Sequence, residues 1–227
     1  MIKPLLNVFC RQIYFTGVQS AGIILLLAGL AGGGFVVICQ SILPVPISVL
    51  SELLSSLMTN ILGVIFTLLV ISARSVSAIT TELATIRVTG EAKTLRRLGV
   101  DPTLYFLLPR LAATSLSAIV LYLYFVLTAL LVAALLSNRS LSVEGILGFY
   151  ANLSLTPVFV GLLRAGVIGA LMILYVFFFS VRQARHLPDI PLAASNGVIH
   201  AIILMLVLES IYQAATILPS YWTGSLP

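Results

Sequence analysis

Arg164 and Glu209 are ionisable residues inside long apolar runs. A charge at membrane depth costs from about 3 kcal/mol upward, by contested amounts, and faces either a partner or water. Arg164 lies about eight residues past the start of its run, and Glu209 about nine before the end of its own; at ~1.5 Å rise per residue the depths match. The spacing predicts an ion pair that pins the last two apolar segments together. A proton or ion relay, or two separate water-facing roles, are the other readings. Asn60 is a third polar group in an apolar run, either lining a cavity or bonding across helices. His200 reads as a packing histidine and His186 as a solvated one.

Other chemistries lack their residues. There is no G-x-x-x-x-G-K-[ST] run to cradle nucleotide phosphates, no H-E-x-x-H, and no G-x-S-x-G. Cys10 and Cys39 have no metal-ligand spacing and read as small apolar packing residues. The sequence therefore offers no site for a cofactor or metal of its own.

The elements that must position these residues follow from composition. The 227-residue chain is 60% hydrophobic and 8% charged, with a mean hydropathy of +1.16. A soluble domain averages about 25% charged residues, so this chain cannot cover itself with a solvated surface. It reads as an all-α integral membrane protein. The basic balance, +5 at neutral pH, follows loop placement rather than nucleic acid.

Residues 1–16 read as a short amphipathic helix lying in the interface, and residues 17–227 as a five-helix domain. The spans are placed at 17–43, 48–72, 104–136, 156–180 and 193–218. Gly29 and Gly33 form a G-x-x-x-G in the first, a weak sign of a dimer seam. With five spans, ten basic residues (Lys3, Arg11, Arg74, Arg87, Lys93, Arg96, Arg97, Arg110, Arg182 and Arg185) fall on one side and Arg139 on the other. The positive-inside rule then puts the N-terminus in the cytoplasm and the C-terminus on the opposite side of the membrane.

One polar island interrupts the apolar runs. Residues 74–109 carry eight of the nineteen formal charges: Arg74, Glu82, Arg87, Glu91, Lys93, Arg96, Arg97 and Asp101. Thr80 or Thr81 is placed to cap a helix, Leu83, Ile86, Leu95 and Leu98 give it an apolar stripe, and Gly99 followed by Pro102 stops it. The pattern predicts one amphipathic cytoplasmic helix over 81–98, a place for another protein to grip.

At this island the sequence resembles the MlaE/YrbE-type permeases of ABC lipid transporters. The residues that carry the likeness are TTELATIRVTGEAKTLRRLGVDPTLYFLLPRLAA, with its L-G-V-D-P and the Pro109–Arg110 pair. RQIYFTGVQS near the N-terminus and SNGVIHAIILMLVLES in the fifth span extend it over most of the chain. Many members carry R-E-L-G-P in the second span, where this chain reads Asn60-Ile61-Leu62-Gly63-Val64, without the charges and the proline.

The resemblance implies an interfacial helix and five spanning helices in the bacterial inner membrane, paired with a second permease chain as a homo- or heterodimer. It implies a coupling helix at 81–98, with Glu82, Ile86, Arg87, Glu91 and Leu95 facing a cytoplasmic ABC ATPase. ATP and Mg would be held by that ATPase. An MCE-type periplasmic lipid-binding protein is the other implied partner, and phospholipid or a related lipid the cargo. Phe35, Ile38, Ile42, Asn60 and Ile61 are the expected cavity lining. An ion-coupled or passive carrier, or a scaffold without cargo, are the rival functions.

Overall fold

The structure, a computed structural model, describes residues 13–42, 46–99, 102–137, 146–147, 150–151, 153–179, 184 and 186–223. Among them every regular element is a helix. Five helices are long and apolar enough to cross a membrane. We label the helices α1 (Gln19–Ile42, continuing a π-turn at Tyr14–Val18), α2 (residues 47–88), α3 (Glu91–Arg97), α4 (Pro102–Ser137), α5 (Leu155–Phe179) and α6 (Ile190–Thr223).

Helix α4 is the axis of the bundle. It packs along α1 on one side and α5 on the other. Its backbone touches α1 where a Cβ added to Gly32 would lie 2.1 Å from the Ala129 carbonyl oxygen. Lipid gives helices no hydrophobic reason to associate, so close approach through small residues and dispersion holds them together. Gly29 and Gly33, expected at a dimer seam, instead face Val132 and Leu136 of α4 in the same chain. The core joins Ile24 and Ala28 of α1 to Leu54, Met58 and Leu68 of α2, Phe125 and Ala129 of α4, Met172 of α5 and Met205 of α6. The outward faces, such as Leu26, Leu30, Val120, Val167 and Ile203, are apolar and exposed, as a lipid-facing surface requires.

Helix α2 departs most from expectation. The second span was expected to end near residue 72, with a separate helix from 81 to 98. Instead α-segments Ile47–Leu57, Gly63–Ile71 and Ser77–Val88 join into one rod through π-turns at Met58–Leu62 and Ser72–Val76. Thr80 and Thr81 therefore cap nothing. They sit inside the rod, where their hydroxyls donate back to the Val76 and Ser77 carbonyls at 2.7 and 2.9 Å.

The rod ends at Thr89-Gly90, where Gly90 takes a left-handed φ of 80°. That conformation is open to glycine and strained for other residues. The expected helix over 81–98 is thus broken in two, and α3 is a separate seven-residue helix. Gly99 does stand at its end, with φ 78° and its N–H bonded to Arg96 O at 3.1 Å.

Most of the expected interfacial helix over 1–16 lies outside the described residues. Residues 13–16 run without a break into the first span. The fifth span begins earlier than expected, at Ile190, after a Leu187–Asp189 turn held by His186 N–H donating to Asp189 Oδ2 at 2.9 Å.

Candidate functional site

Two polar sites emerge from this frame. The first is a node inside the bundle, built on the π-turn at Met58–Leu62. In an α-helix the Gly63 N–H would bond to Thr59 O, four residues back. Here it bonds to Met58 O, five back, as a π-turn dictates. Thr59 O is left available, and the Tyr122 hydroxyl donates to it at 2.8 Å.

Tyr122 itself is fully buried. Glycine on both neighbouring helices makes room for its ring. A Cβ on Gly161 would lie 2.1 Å from the Tyr122 hydroxyl oxygen, and one on Gly63 would lie 2.8 Å from its ring.

The next carbonyl, Asn60 O, accepts from two side chains of other spans. Arg164 Nη2 of α5 donates to it, and Gln213 Nε2 of α6 donates to it at 2.9 Å. Arg164 Nη2 also lies 3.1 Å from Glu209 Oε1, and Gln213 Nε2 donates to that same oxygen at 3.2 Å. The Arg164 guanidinium stacks over the Tyr212 ring, 4.1 Å from its centre.

Arg164 and Glu209 are thus brought together, 8% and 3% exposed. At such burial an unpaired charge is prohibitive, while pairing, hydrogen bonds and an aromatic face offset the desolvation. The offset is incomplete. Arg164 Nε and Glu209 Oε2 are buried without a hydrogen-bond partner.

Gln213, Tyr122, Tyr212 and the Asn60 carbonyl were not singled out from sequence. Glu52 was also passed over, although it lies within the second span. Its charge was a legible signal. The carbonyls carried none, because every residue has one.

The five expected cavity residues stand at two depths. Counting ~1.5 Å per residue from the α1–α2 hairpin, Phe35, Ile38 and Ile42 lie within about 10 Å of the end of α1, while Asn60 and Ile61 lie about 20 Å down α2. Ile38 and Ile42 are 58% and 71% exposed, whereas Phe35 is half-buried against the core. The Asn60 side chain turns back along its own helix, its Nδ2 donating to Ser56 O at 3.0 Å and lying 3.3 Å from Ser56 Oγ.

The second site is the far end of α2 with α3. The five residues expected to couple to a partner are split by Gly90, with Glu82, Ile86 and Arg87 on α2 and Glu91 and Leu95 on α3. Arg87 and Glu91 are exposed, and Ile86 and Leu95 half-buried. Glu82 is exposed as well, yet it is engaged within the chain. Its Oε1 lies 2.8 Å from Nη2 of Arg110 in α4, and the Arg110 side chain is 2% exposed. Arg110 Nη1 donates to Phe106 O at 3.0 Å.

A small apolar cluster of Ala84, Ala184, Ile190 and Ala193, with Val88 against it, fastens this end of α2 to the start of α6. Gly197 of α6 packs against the Thr80 hydroxyl, which a Cβ there would approach to 2.8 Å. Farther back, Arg74 in the second π-turn donates from Nη1 to Gln19 O and from Nη2 to Gln19 Oε1, the latter at 2.6 Å. Charged α3 is thereby carried on a rod tied to α1, α4 and α6.

No curated protein matches the chain closely enough to count as a relative. A family model described as Permease MlaE matches residues 9–215. The match reaches into all five candidate membrane helices and takes in both polar sites and the rod between them. A bundle of apolar spans with a buried ion pair is the architecture of a multi-pass membrane protein, and this chain belongs to the MlaE permease family.

Proposed function

We propose that the chain is the membrane subunit of an ABC transporter that moves phospholipid or a related lipid between the inner membrane and the periplasm or outer membrane. A separate cytoplasmic ATPase drives it. In this reading the α2–α3 end faces the cytoplasm and the α1–α2 hairpin faces the periplasm. Arg87, Glu91, Ile86 and Leu95 meet the ATPase, and Glu82 acts through its bond to Arg110. A second permease chain completes an outward-opening apolar cavity, and an MCE-type protein exchanges lipid on the periplasmic side. Acyl chains lose little on leaving the bilayer for such a cavity, so the polar headgroup is the costly part to accommodate.

The observation that carries this reading beyond the family match is the form of α2. Its described span, Ser48–Val88, is 41 residues long. At ~1.5 Å per residue that is about 60 Å, twice the hydrocarbon thickness of a bilayer. The excess leads to α3, whose Glu91, Lys93, Arg96 and Arg97 are all exposed. A rigid, braced rod ending in a charged helix suits transmission of force from a docked motor. ATP-driven movement there would shift the population between open and closed cavities.

Affinity purification from detergent, with mass spectrometry of co-purified proteins and lipids, tests the proposal. The intact chain is expected to recover an ATPase and bound phospholipid, and an Arg87→Glu, Glu91→Lys variant to lose the ATPase. A chain that transports lipid in vesicles without any ATPase would replace this reading with that of a carrier.

A further inference from the structure

The first two turns of α2 have two exposed halves of opposite character. Val49 and Leu53 are 43% and 52% exposed and apolar. Beside them Ser48, Glu52 and Ser56 are exposed and polar, spaced four residues apart and so stacked along one side of the helix. Asn60 continues the four-residue spacing through the π-turn at Met58–Leu62, and its Nδ2 reaches Ser56 Oγ at 3.3 Å.

The column therefore descends to the node. Asn60 O, at its foot, takes the donors of Arg164 and Gln213, and these lead to Glu209. Two observations favour something other than acyl chains beside it. A carboxylate and hydroxyls facing hydrocarbon would be stranded at high cost. Glu209 Oε2 and Arg164 Nε, in side chains more than nine-tenths buried, lack partners at the foot.

We infer that the Ser48–Glu52–Ser56–Asn60 column is a wetted, cation-preferring stripe through which water and small organic ammonium groups reach the Arg164–Glu209 pair from the hairpin end. Glu52 sets the sign. Among the described residues of the half of the bundle nearest the hairpin, Arg164 and Glu209 neutralise each other and Glu52 is the remaining charge. A single negative charge beside a low-dielectric wall concentrates cations and repels anions. The inference concerns access of water and cations, so it stands or falls apart from lipid transport and ATPase coupling.

Substituted-cysteine labelling tests it, in spheroplasts expressing the full chain with Cys10 and Cys39 replaced by alanine. The probes are two membrane-impermeant methanethiosulfonates, one bearing ethyltrimethylammonium and one ethylsulfonate, each rate divided by that with free thiol. Ser48→Cys and Ser56→Cys are expected to react, and Leu53→Cys to stay unmodified. After that correction the cationic reagent is expected to modify Ser56→Cys about tenfold faster than the anionic one. Adding Glu52→Gln should bring the two rates together. Reaction at Ser48→Cys without reaction at Ser56→Cys would overturn the stripe, because it shows a correctly presented chain whose column is covered by lipid or protein. Equal reaction at Leu53→Cys and Ser56→Cys, or a charge preference indifferent to Glu52→Gln, would overturn it as well.

Discussion

Arg164 binds the backbone carbonyl of Asn60, 104 residues away in the chain, with the same nitrogen that it offers to Glu209. The cation thus ties α5 to both α2 and α6. This makes the pair asymmetric. Glu209 serves Arg164 and Gln213, whereas Arg164 serves a carboxylate, a carbonyl and the Tyr212 ring.

Arg164→Met is expected to destabilise the detergent-solubilised protein by about 3–5 kcal/mol, since it leaves Glu209 buried without its counter-charge, with only the Gln213 hydrogen bond remaining. Combining it with Glu209→Met should recover much of that loss in thermal unfolding. The charge swap Arg164→Glu with Glu209→Arg should recover less, because a carboxylate at 164 cannot donate to Asn60 O. A swap as stable as the parent would mean that the bond to the carbonyl contributes nothing.

Gly161→Ala is expected to displace Tyr122, whose hydroxyl oxygen lies 2.1 Å from where the new methyl would stand. Loss of its bond to Thr59 O in a buried setting costs about 1–3 kcal/mol. Tyr122→Phe removes the same bond without the collision. The two changes should therefore be less than additive in a double-mutant cycle. Strict additivity would show that the hydroxyl and the glycine act separately.

Excising Ile61 removes one residue from the π-turn and lets α2 run on as α-helix. Ile61 is 38% exposed, so little packing leaves with it. Helical content by circular dichroism should hold, while unfolding shifts by about 1–3 kcal/mol because Tyr122 loses the Thr59 carbonyl as its acceptor. An unchanged melting curve would remove the π-turn from the account of the node.

Gly90→Ala places a side chain at φ 80°, at a cost of about 1 kcal/mol. Nothing lies within 4 Å of the added methyl, so the strain falls on the α2–α3 joint alone. Melting should change little, whereas, on the proposed reading, ATP hydrolysis by the chain reconstituted with its ATPase should drop several-fold. Full activity would show that the angle of α3 is not critical.

Glu82→Ala leaves Arg110 buried with only the Phe106 carbonyl and ring for company. It is expected to destabilise the chain more than Arg87→Ala, which removes an exposed side chain. Glu82→Gln, which keeps an acceptor, should fall between them in a thermal melt. Equal effects of all three would mean that the bond to Arg110 holds nothing in place.

Much of the design was legible in the chain itself. Apolar runs of bilayer length need only composition to declare themselves, so the all-helical membrane class and the five spans could be read directly. Matching depth along two runs was enough to set Arg164 opposite Glu209. What stayed hidden lay where local rules were overruled by distant partners. A helix over 81–98 was drawn from caps and periodicity, but Thr80 and Thr81 lie inside a helix, braced by α6 and Arg110, that continues until Gly90. The π-turn at Met58–Leu62 has no sequence mark, because any residue can form one. It persists because Tyr122, from another helix, takes up the Thr59 carbonyl it releases, while Arg164 and Gln213 hold the carbonyl next to it. The sequence alone determined which segments enter the membrane, since that depends on transfer of each segment from water. Only the tertiary structure decided where the backbone departs from the α-helix, since that depends on donors that folding brings from elsewhere in the chain.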